Sequence, residues 1–188
     1  MDGLPKIIGF AGAINAGKDT CTKFLLDYLT EKGIPHQHLK FADKLKQVIS
    51  IMTDVPLEEI YTHEGKAKFI PELNQTVGKL HQTIGDLMKQ INPNIWVYPV
   101  SRKFNSNLFT VISDVRFLSE ANAIKEAGGI IIKIERNDKH DPLTSTGRDP
   151  KHNSETSLNH YEGFSTILHN DGTLEELKLK LFKHLNLE

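Results

Sequence analysis

Gly12, Gly17, Lys18, Asp19 and Thr20 stand close together in the stretch GFAGAINAGKDT. Their types suit the holding of a phosphate chain. A G-x-x-x-x-G-K spacing lets backbone N–H groups surround an anion while the lysine reaches its outer phosphates, and a Ser or Thr normally follows with its hydroxyl toward Mg²⁺. Here Asp19 takes that place and Thr20 supplies the hydroxyl one residue late. A bare carboxylate is repelled by a triphosphate at close range. It becomes favourable with a cation in between or with Lys18 as partner, so Asp19 is expected on the metal side and Thr20 at a phosphate or Mg²⁺. The alternative reading is that Asp19 steadies a helix start through the macrodipole. The two roles are compatible.

Two further stretches carry charge where such a loop would need partners. VISDVRF ends an apolar run on Asp114, where phosphate-loop enzymes place a second metal-side carboxylate, and Arg116 follows with a guanidinium able to grip a phosphate bidentately. Taken alone, the stretch favours the plainer reading, Asp114 as the N-cap of a following helix and Arg116 as half of a surface ion pair; together with the loop it favours the functional one. GRDPKHNSET brings Arg148, Lys151 and His152 together, cations of the kind that lids of phosphoryl-transfer enzymes close over developing charge. Its plain alternative is a solvated polar loop in which Ser154 and Glu155 open a short helix. The nine histidines are scattered without metal-site spacing, which argues against zinc.

The elements that must position these residues follow from apolar periodicity. KIIGFAG reads as a buried strand leading into the loop, and Cys21, Phe24, Leu25, Tyr28 and Leu29 form one stripe of a helix after it, stopped by Gly33 and Pro35. HQHLKFA suggests a second strand, and DKLKQVISIM a helix with Asp43 as N-cap. Within residues 71–91, Val77, Leu80, Ile84, Leu87 and Ile91 step by three and four, a helix ended by Pro93. Gly85 inside it marks close packing by another element or by a ligand. NLFTVISDVRF and IIIKIE read as central parallel strands, SEANAIKEAGG as the short helix between them, and FSTILHNDG as a last strand and turn. Thr173 with Glu176 forms a capping box for a final helix lined by Leu174, Leu177, Leu181 and Leu185. Residues 137–153 are polar, without apolar period, and too long for a plain connection, which points to a lid. Strands alternating with helices give an α/β class with a mainly parallel sheet.

The 188 residues suit one domain with its own core. Lys and Arg number 23 against 24 Asp and Glu, a net charge of −1 that gives no reason to expect a nucleic-acid polymer or a membrane as partner. No apolar run reaches the ~20 residues of a membrane span. The single Cys21 fits a reducing compartment, and with no secretory signal in MDGLPKIIGF the expected location is cytoplasmic.

As a set, GKDT, KFADKLK, LHQTIGDLMKQINPNIWV, SDVRFLSEANAIKEAGG, IERN and NSETSLNHYEGFSTILHNDGTLEEL resemble, in order and over nearly the whole chain, the viral deoxynucleoside monophosphate kinases. Animal-type phosphomevalonate kinase, with its own GKD loop and SD-x-R element, looks like a distant relative. The resemblance implies a three-layer nucleoside monophosphate kinase-like fold: a five-stranded parallel sheet, a helical monophosphate-binding region near residues 40–104 and a lid near 137–157. It implies transfer of the γ-phosphoryl of ATP to a deoxynucleoside monophosphate with Mg²⁺, in the host cytoplasm for a viral protein. Carried over residue by residue, Gly12, Asn15, Ala16, Gly17, Lys18, Asp19 and Thr20 would hold the ATP phosphates, and Asn170 and Gly172 the adenine. Asp19, Thr20 and Asp114 would face the metal. Lys40, Phe41, Ala42, Leu45, Gln82, Gly85, Trp96, Arg116 and Lys151 would shape the acceptor site, Gln82 by pairing with a base edge and Trp96 by stacking unless it is a core residue. Lys18, Asp19, Asp114, Arg116 and Arg148 would carry catalysis. Relatives often have Arg in the segment DLMKQI, where Lys89 keeps the charge but loses the planar fork. Two alternatives share the loop: a kinase of a non-nucleotide phosphate, and a nucleotide-binding regulator without turnover. The apolar faces serve a core or a homodimer alike.

Overall fold

The structure is a computed structural model and describes residues 4–136, 146–149 and 151–187. The apolar run at the N-terminus forms β1 (Ile7–Ala11), buried at every position, and the glycine-rich loop then leads into α1 (Lys18–Glu31). β2 (His36–Leu39), β5 (Phe109–Val115), β6 (Ile130–Glu135) and β7 (Thr166–His169) complete a five-stranded sheet in the order β2-β5-β1-β6-β7. Every pairing is parallel. Continuous burial on both faces explains why β1 is apolar without alternation and why β5 carries its polar residues Thr110 and Ser113 buried.

Two layers of helix cover the sheet. On one face Cys21, Leu25 and Leu29 of α1 and Leu177, Leu181 and Leu185 at α9 (Leu174–His184) pack against Ile8, Phe10, Val111, Ile132 and Ile134. On the other, Ala121 and Ile124 of α7 (Leu118–Glu126) pack with Leu158 against Ile7, Ile112 and Ile131. Connections from β1 and β5, neighbours in the sheet, run to opposite sides. Their carboxyl ends therefore form the crevice where open α/β sheets take ligands.

Between β2 and β5 lies a helical region: α2 (Asp43–Thr53), α3 (Leu57–Ile60), α4 (His63–Ala67), the hairpin of β3 (Phe69–Ile70) and β4 (Gln75–Thr76), α5 (Val77–Ile91) and α6 (Tyr98–Ser101). It has a separate core of Leu45, Ile49, Val55, Ile60, Val77 and Leu80. Two sequence expectations change here. The 71–91 helix begins at Val77, because Pro71–Leu73 form a 3₁₀ turn and Thr76 pairs in the hairpin before its hydroxyl caps α5 at the Lys79 N–H. The stripe also leaves the core in the last turn, where Leu87 is 53% and Ile91 75% exposed. Among the described residues no helix is long and apolar enough to cross a membrane.

Candidate active site

The loop after β1 is shaped for close approach. Gly12 has φ 139° and Gly17 φ 109°, conformations that L side chains rarely adopt. A Cβ at Gly12 would strike the Ile134 carbonyl oxygen, and one at Gly17 the Asn170 amide. Asn15 at φ 60° completes the turn. Lys18, 8% exposed, donates from Nζ to the carbonyls of Gly12 at 2.9 Å and Ala13 at 2.6 Å. Burial, then Arg116, pulls its pKa down to about 8 against the raising pull of Asp19, Glu155 and Asp114. Asp19 lies exposed in the first turn of α1, with Thr20 half-buried behind it.

Asp114, at the end of β5, accepts the Phe41 N–H at 2.9 Å and the Ala42 N–H at 3.0 Å, one on each carboxylate oxygen. This corrects one expectation. Ala42, rather than Asp43, is the N-cap of α2, and the distant Asp114 takes the two amides that lead into the helix, those of Phe41 and Ala42. Asp114 is accordingly a docking group for the KFAD segment, and each of its carboxylate oxygens keeps lone pairs free. Asp114→Ala is expected to lower stability by about 2 kcal/mol through two unsatisfied amides, read as a fall in the denaturation midpoint. Glu120, a buried carboxyl, reaches back to the Arg116 N–H at 2.7 Å and the Phe117 N–H at 3.1 Å. Burial and then the Asp114 charge push its carboxyl up to about 8.

Arg116 and Arg148 converge on one carboxylate. The Arg116 guanidinium donates to Glu155 Oε1 at 2.6 Å, and the Arg148 guanidinium pairs with the same oxygen. Glu155 lies in α8 (Asn153–Thr156), and its side chain is 8% exposed. Burial pushes its carboxyl up, but Arg116, Arg148 and the Ser154 hydroxyl together hold it below the ordinary range. Two cavities flank this bridge. One, of about 150 Å³, is lined by Ala42, Leu45, Lys46, Lys66, His81, Gln82, Gly85, Asp114, Arg116 and Arg148 among others. The other, of about 270 Å³, opens between Gly12 and Ala13 of the loop, Val115, Arg136 at the end of β6, and Phe164.

Several residues expected at ligands have other partners. Gln82 holds the backbone of Asp149 at both ends of its amide, donating to the carbonyl at 2.9 Å and accepting the N–H at 2.8 Å, so the bidentate edge of the amide is taken. The Trp96 indole donates to the Gly85 carbonyl at 3.0 Å and packs against the helical core, and a Cβ at Gly85 would lie 3.3 Å from Leu45. Gly85 thus admits a neighbouring element, and Trp96 is the core residue of the two readings. Lys40 lies over the Tyr61 ring at 5.3 Å, Phe41 is buried in the sheet core, and the Lys151 side chain is exposed; none of them lines the smaller cavity. Asn170 donates to the Ala16 carbonyl at 2.9 Å, fixing the loop from behind, while Gly172 makes room for the Glu176 carboxylate that caps α9. Lys89 pairs with Asp86 at 3.3 Å and lies over the Phe117 ring. Of the 137–157 lid, residues 137–145 and 150 lie outside the described residues.

Comparison with known proteins bears on the whole arrangement. The family model for deoxynucleotide monophosphate kinase matches residues 56–181. The chain belongs to the deoxynucleotide monophosphate kinase family. It is 31% identical over 191 residues, 90% of this chain and 91% of the other, to a protein of Acanthamoeba polyphaga mimivirus provisionally named a deoxynucleotide monophosphate kinase. Among solved structures, the APS kinase CysC of Mycobacterium tuberculosis covers 97% of this chain and 98% of its own at 13% identity and a TM-score of 0.46. The same enzyme in complex with AMPPNP and APS gives 14% identity, the same coverage and a TM-score of 0.44. These two are likenesses of outline only.

For a member of the deoxynucleotide monophosphate kinase family, sequence reading passes over Lys46, Lys66 and Asp86 and treats His81 only as one of many histidines. Burial, then Lys40, outweighs the Asp114 charge to pull Lys46 down to about 8. Burial, then Lys46, pulls His81 down to about 3, so its imidazole is neutral, and its buried Nε2 has no hydrogen-bond partner among the described residues. The available signal was spacing: Gly78, Gln82 and Asp86 share one i, i+4 row of α5.

Proposed function

We propose that the protein transfers the γ-phosphoryl group of ATP to a deoxynucleoside 5′-monophosphate, giving ADP and the deoxynucleoside diphosphate. The observation that carries this reading is the convergence of five cations, Lys18, Lys46, Lys66, Arg116 and Arg148, on the phosphate loop and the smaller cavity. An acceptor phosphate oxygen attacks the γ-phosphorus, the bond to the β–γ bridging oxygen breaks, and the electron pair leaves with ADP. The acceptor is already largely ionised at neutral pH, with a second pKa of ~6, so positioning and charge neutralisation suffice and no strong general base is required.

The loop amides and Lys18 hold the donor phosphates. Lys46 and Lys66 meet the acceptor phosphate, while Arg116 and Arg148 sit between the two ligands. Ala42, Leu45 and Gly85 shape the wall of the acceptor cavity. Asp19 and Thr20 present oxygen donors where the phosphates arrive, a set that suits Mg²⁺, which keeps several waters and takes one or two protein oxygens beside substrate phosphates. No cluster of three or more His, Cys, Asp or Glu occurs among the described residues, in keeping with a metal brought by the nucleotide. Bound there, Mg²⁺ would neutralise charge on the donor phosphates.

The test is a coupled ADP-release assay with ATP against all nucleoside and deoxynucleoside monophosphates and phosphomevalonate. Release driven by one or more deoxynucleotides is expected. Release with phosphomevalonate alone, or ATP binding without turnover on any acceptor, would overturn the reading. Asp19→Asn is expected to raise the Mg²⁺ concentration for half-maximal rate about tenfold with ATP affinity little changed. A variant altered only in melting temperature would return Asp19 to a helix-start role.

A further inference from the structure

The segment Thr146–Asp149, which carries Arg148, lies along the row of α5 that begins at its N-terminus. The Thr76 hydroxyl donates to the Thr146 carbonyl at 2.7 Å. At Gly78 the two chains are so close that a Cβ would lie 2.6 Å from the Thr146 carbonyl oxygen and 3.1 Å from Arg148 Cγ. One turn on, Gln82 takes both the N–H and the C=O of Asp149. Another turn on, Asp86 meets His152 Nε2 at 2.7 Å. Gln82 is 3% exposed, so its amide has exchanged water for these two partners. A buried primary amide that matches a peptide group at both ends recognises backbone: its bidentate edge is taken, and the N–H and lone pair that remain do not share an edge on which to pair with a nucleobase.

We propose that Gln82 is a positioning residue: it docks the Arg148-bearing segment onto α5, the wall of the acceptor cavity, and so sets Arg148 for transfer. Arg148 follows Gly147 directly and precedes Asp149, so fixing the Asp149 peptide fixes the backbone from which the guanidinium reaches Glu155. Because α5 also contributes His81 and Gly85 to the cavity, an acceptor that moves α5 moves Arg148 with it. The proposal rests on the phosphotransferase reading for its catalytic consequence alone.

The test uses the full chain with Gln82→Met, which keeps length and loses both hydrogen bonds, and Gln82→Glu, which keeps the acceptor and loses the donor. Two quantities are read: amide hydrogen exchange at Asp149 in the ligand-free protein, and kcat and KM for the four deoxynucleoside monophosphates. In Gln82→Met, exchange at Asp149 is expected to quicken about tenfold and kcat to fall about tenfold for all four acceptors in parallel, as the loss of two hydrogen bonds implies. Exchange in β1 and β5 stays as in the wild type. Gln82→Glu falls between the two and keeps the test open should Gln82→Met lose its fold. Unchanged Asp149 exchange with a shifted ranking of the four bases would overturn the proposal in favour of base reading. Quicker exchange with an unaltered kcat would overturn it too, by showing that docking does not position Arg148. A wild-type protein inactive on all four acceptors would sink the phosphotransferase reading, and the exchange measurement would still decide the docking.

Discussion

Lys18→Ala is expected to lower turnover about a thousandfold, the scale at which removing one preorganised donor of positive charge acts, while the protein keeps its fold. The ammonium is held by the Gly12 and Ala13 carbonyls, inside the loop that it would serve. Those carbonyls are poor substitutes for phosphate oxygens, so incoming anions recruit the group at little cost in reorganisation. Its loss need not unfold the protein. Burial brings the Lys18 pKa from 10.5 to about 8, so between these values the folded chain binds fewer protons than the unfolded one, and this group makes stability rise with pH through that window. At pH 7 the charged, buried lysine therefore works against folding, and a circular-dichroism melt of the alanine variant is expected to be unshifted or slightly raised.

The same lowered pKa gives the assignment a second, independent reading. Phosphate favours the protonated ammonium, so ATP affinity is expected to weaken as pH rises past about 8, approaching one proton taken up per site. Calorimetric titration of ATP at pH 7 and 9, without acceptor, isolates this from Lys46, which burial also pulls down to about 8 in the smaller cavity. The pH dependence should vanish in Lys18→Ala. Its persistence there would remove Lys18 from the nucleotide site.

The strand, loop and helix around Lys18 were legible because they are local: the glycine spacing, the apolar run before it and the stripe after it lie within one continuous stretch. The capping box at Thr173 and Glu176 was legible for the same reason. What was missed is held across distance. Asp43 has the right type and place for an N-cap, but the helix starts at it rather than after it, with Asp114, far along the chain, holding the Phe41 and Ala42 amides ahead of it, and Asp43 instead accepts the Tyr61 hydroxyl. Gln82 has the chemistry of a base reader, and nothing near it in the chain reveals that the backbone of Asp149 lies on its amide. Leu87 and Ile91 keep the helical period beyond the point where anything covers them, since periodicity reports which face is apolar and not how far the core extends. Glu155 could be read as a helix opener, and no spacing in the chain reveals that two arginines meet on it.

That meeting carries the second large effect. Glu155→Gln keeps the shape of the side chain and removes the anion between two guanidiniums that are 21% and 10% exposed. Breaking a buried charge cluster from one side costs about 3 kcal/mol, so a clear fall in the ligand-free melting temperature is expected near neutral pH. Because the folded pKa of Glu155 is depressed, its contribution is fully present above the ordinary carboxylate range and is lost as pH falls through the folded value. Wild type and variant should therefore converge in acid. The two arginines left without a counter-charge remain a site for anions, and phosphate oxygens can replace the missing carboxylate. ATP or pyrophosphate is then expected to raise the melting temperature of the variant more than that of the wild type, while kcat falls because the arginines are no longer held apart and aimed before substrate arrives. Equal ligand-induced shifts in the two proteins would mean that Glu155 does not stand in for substrate phosphate. Arg116 and Arg148 would then be a structural bridge rather than a clamp.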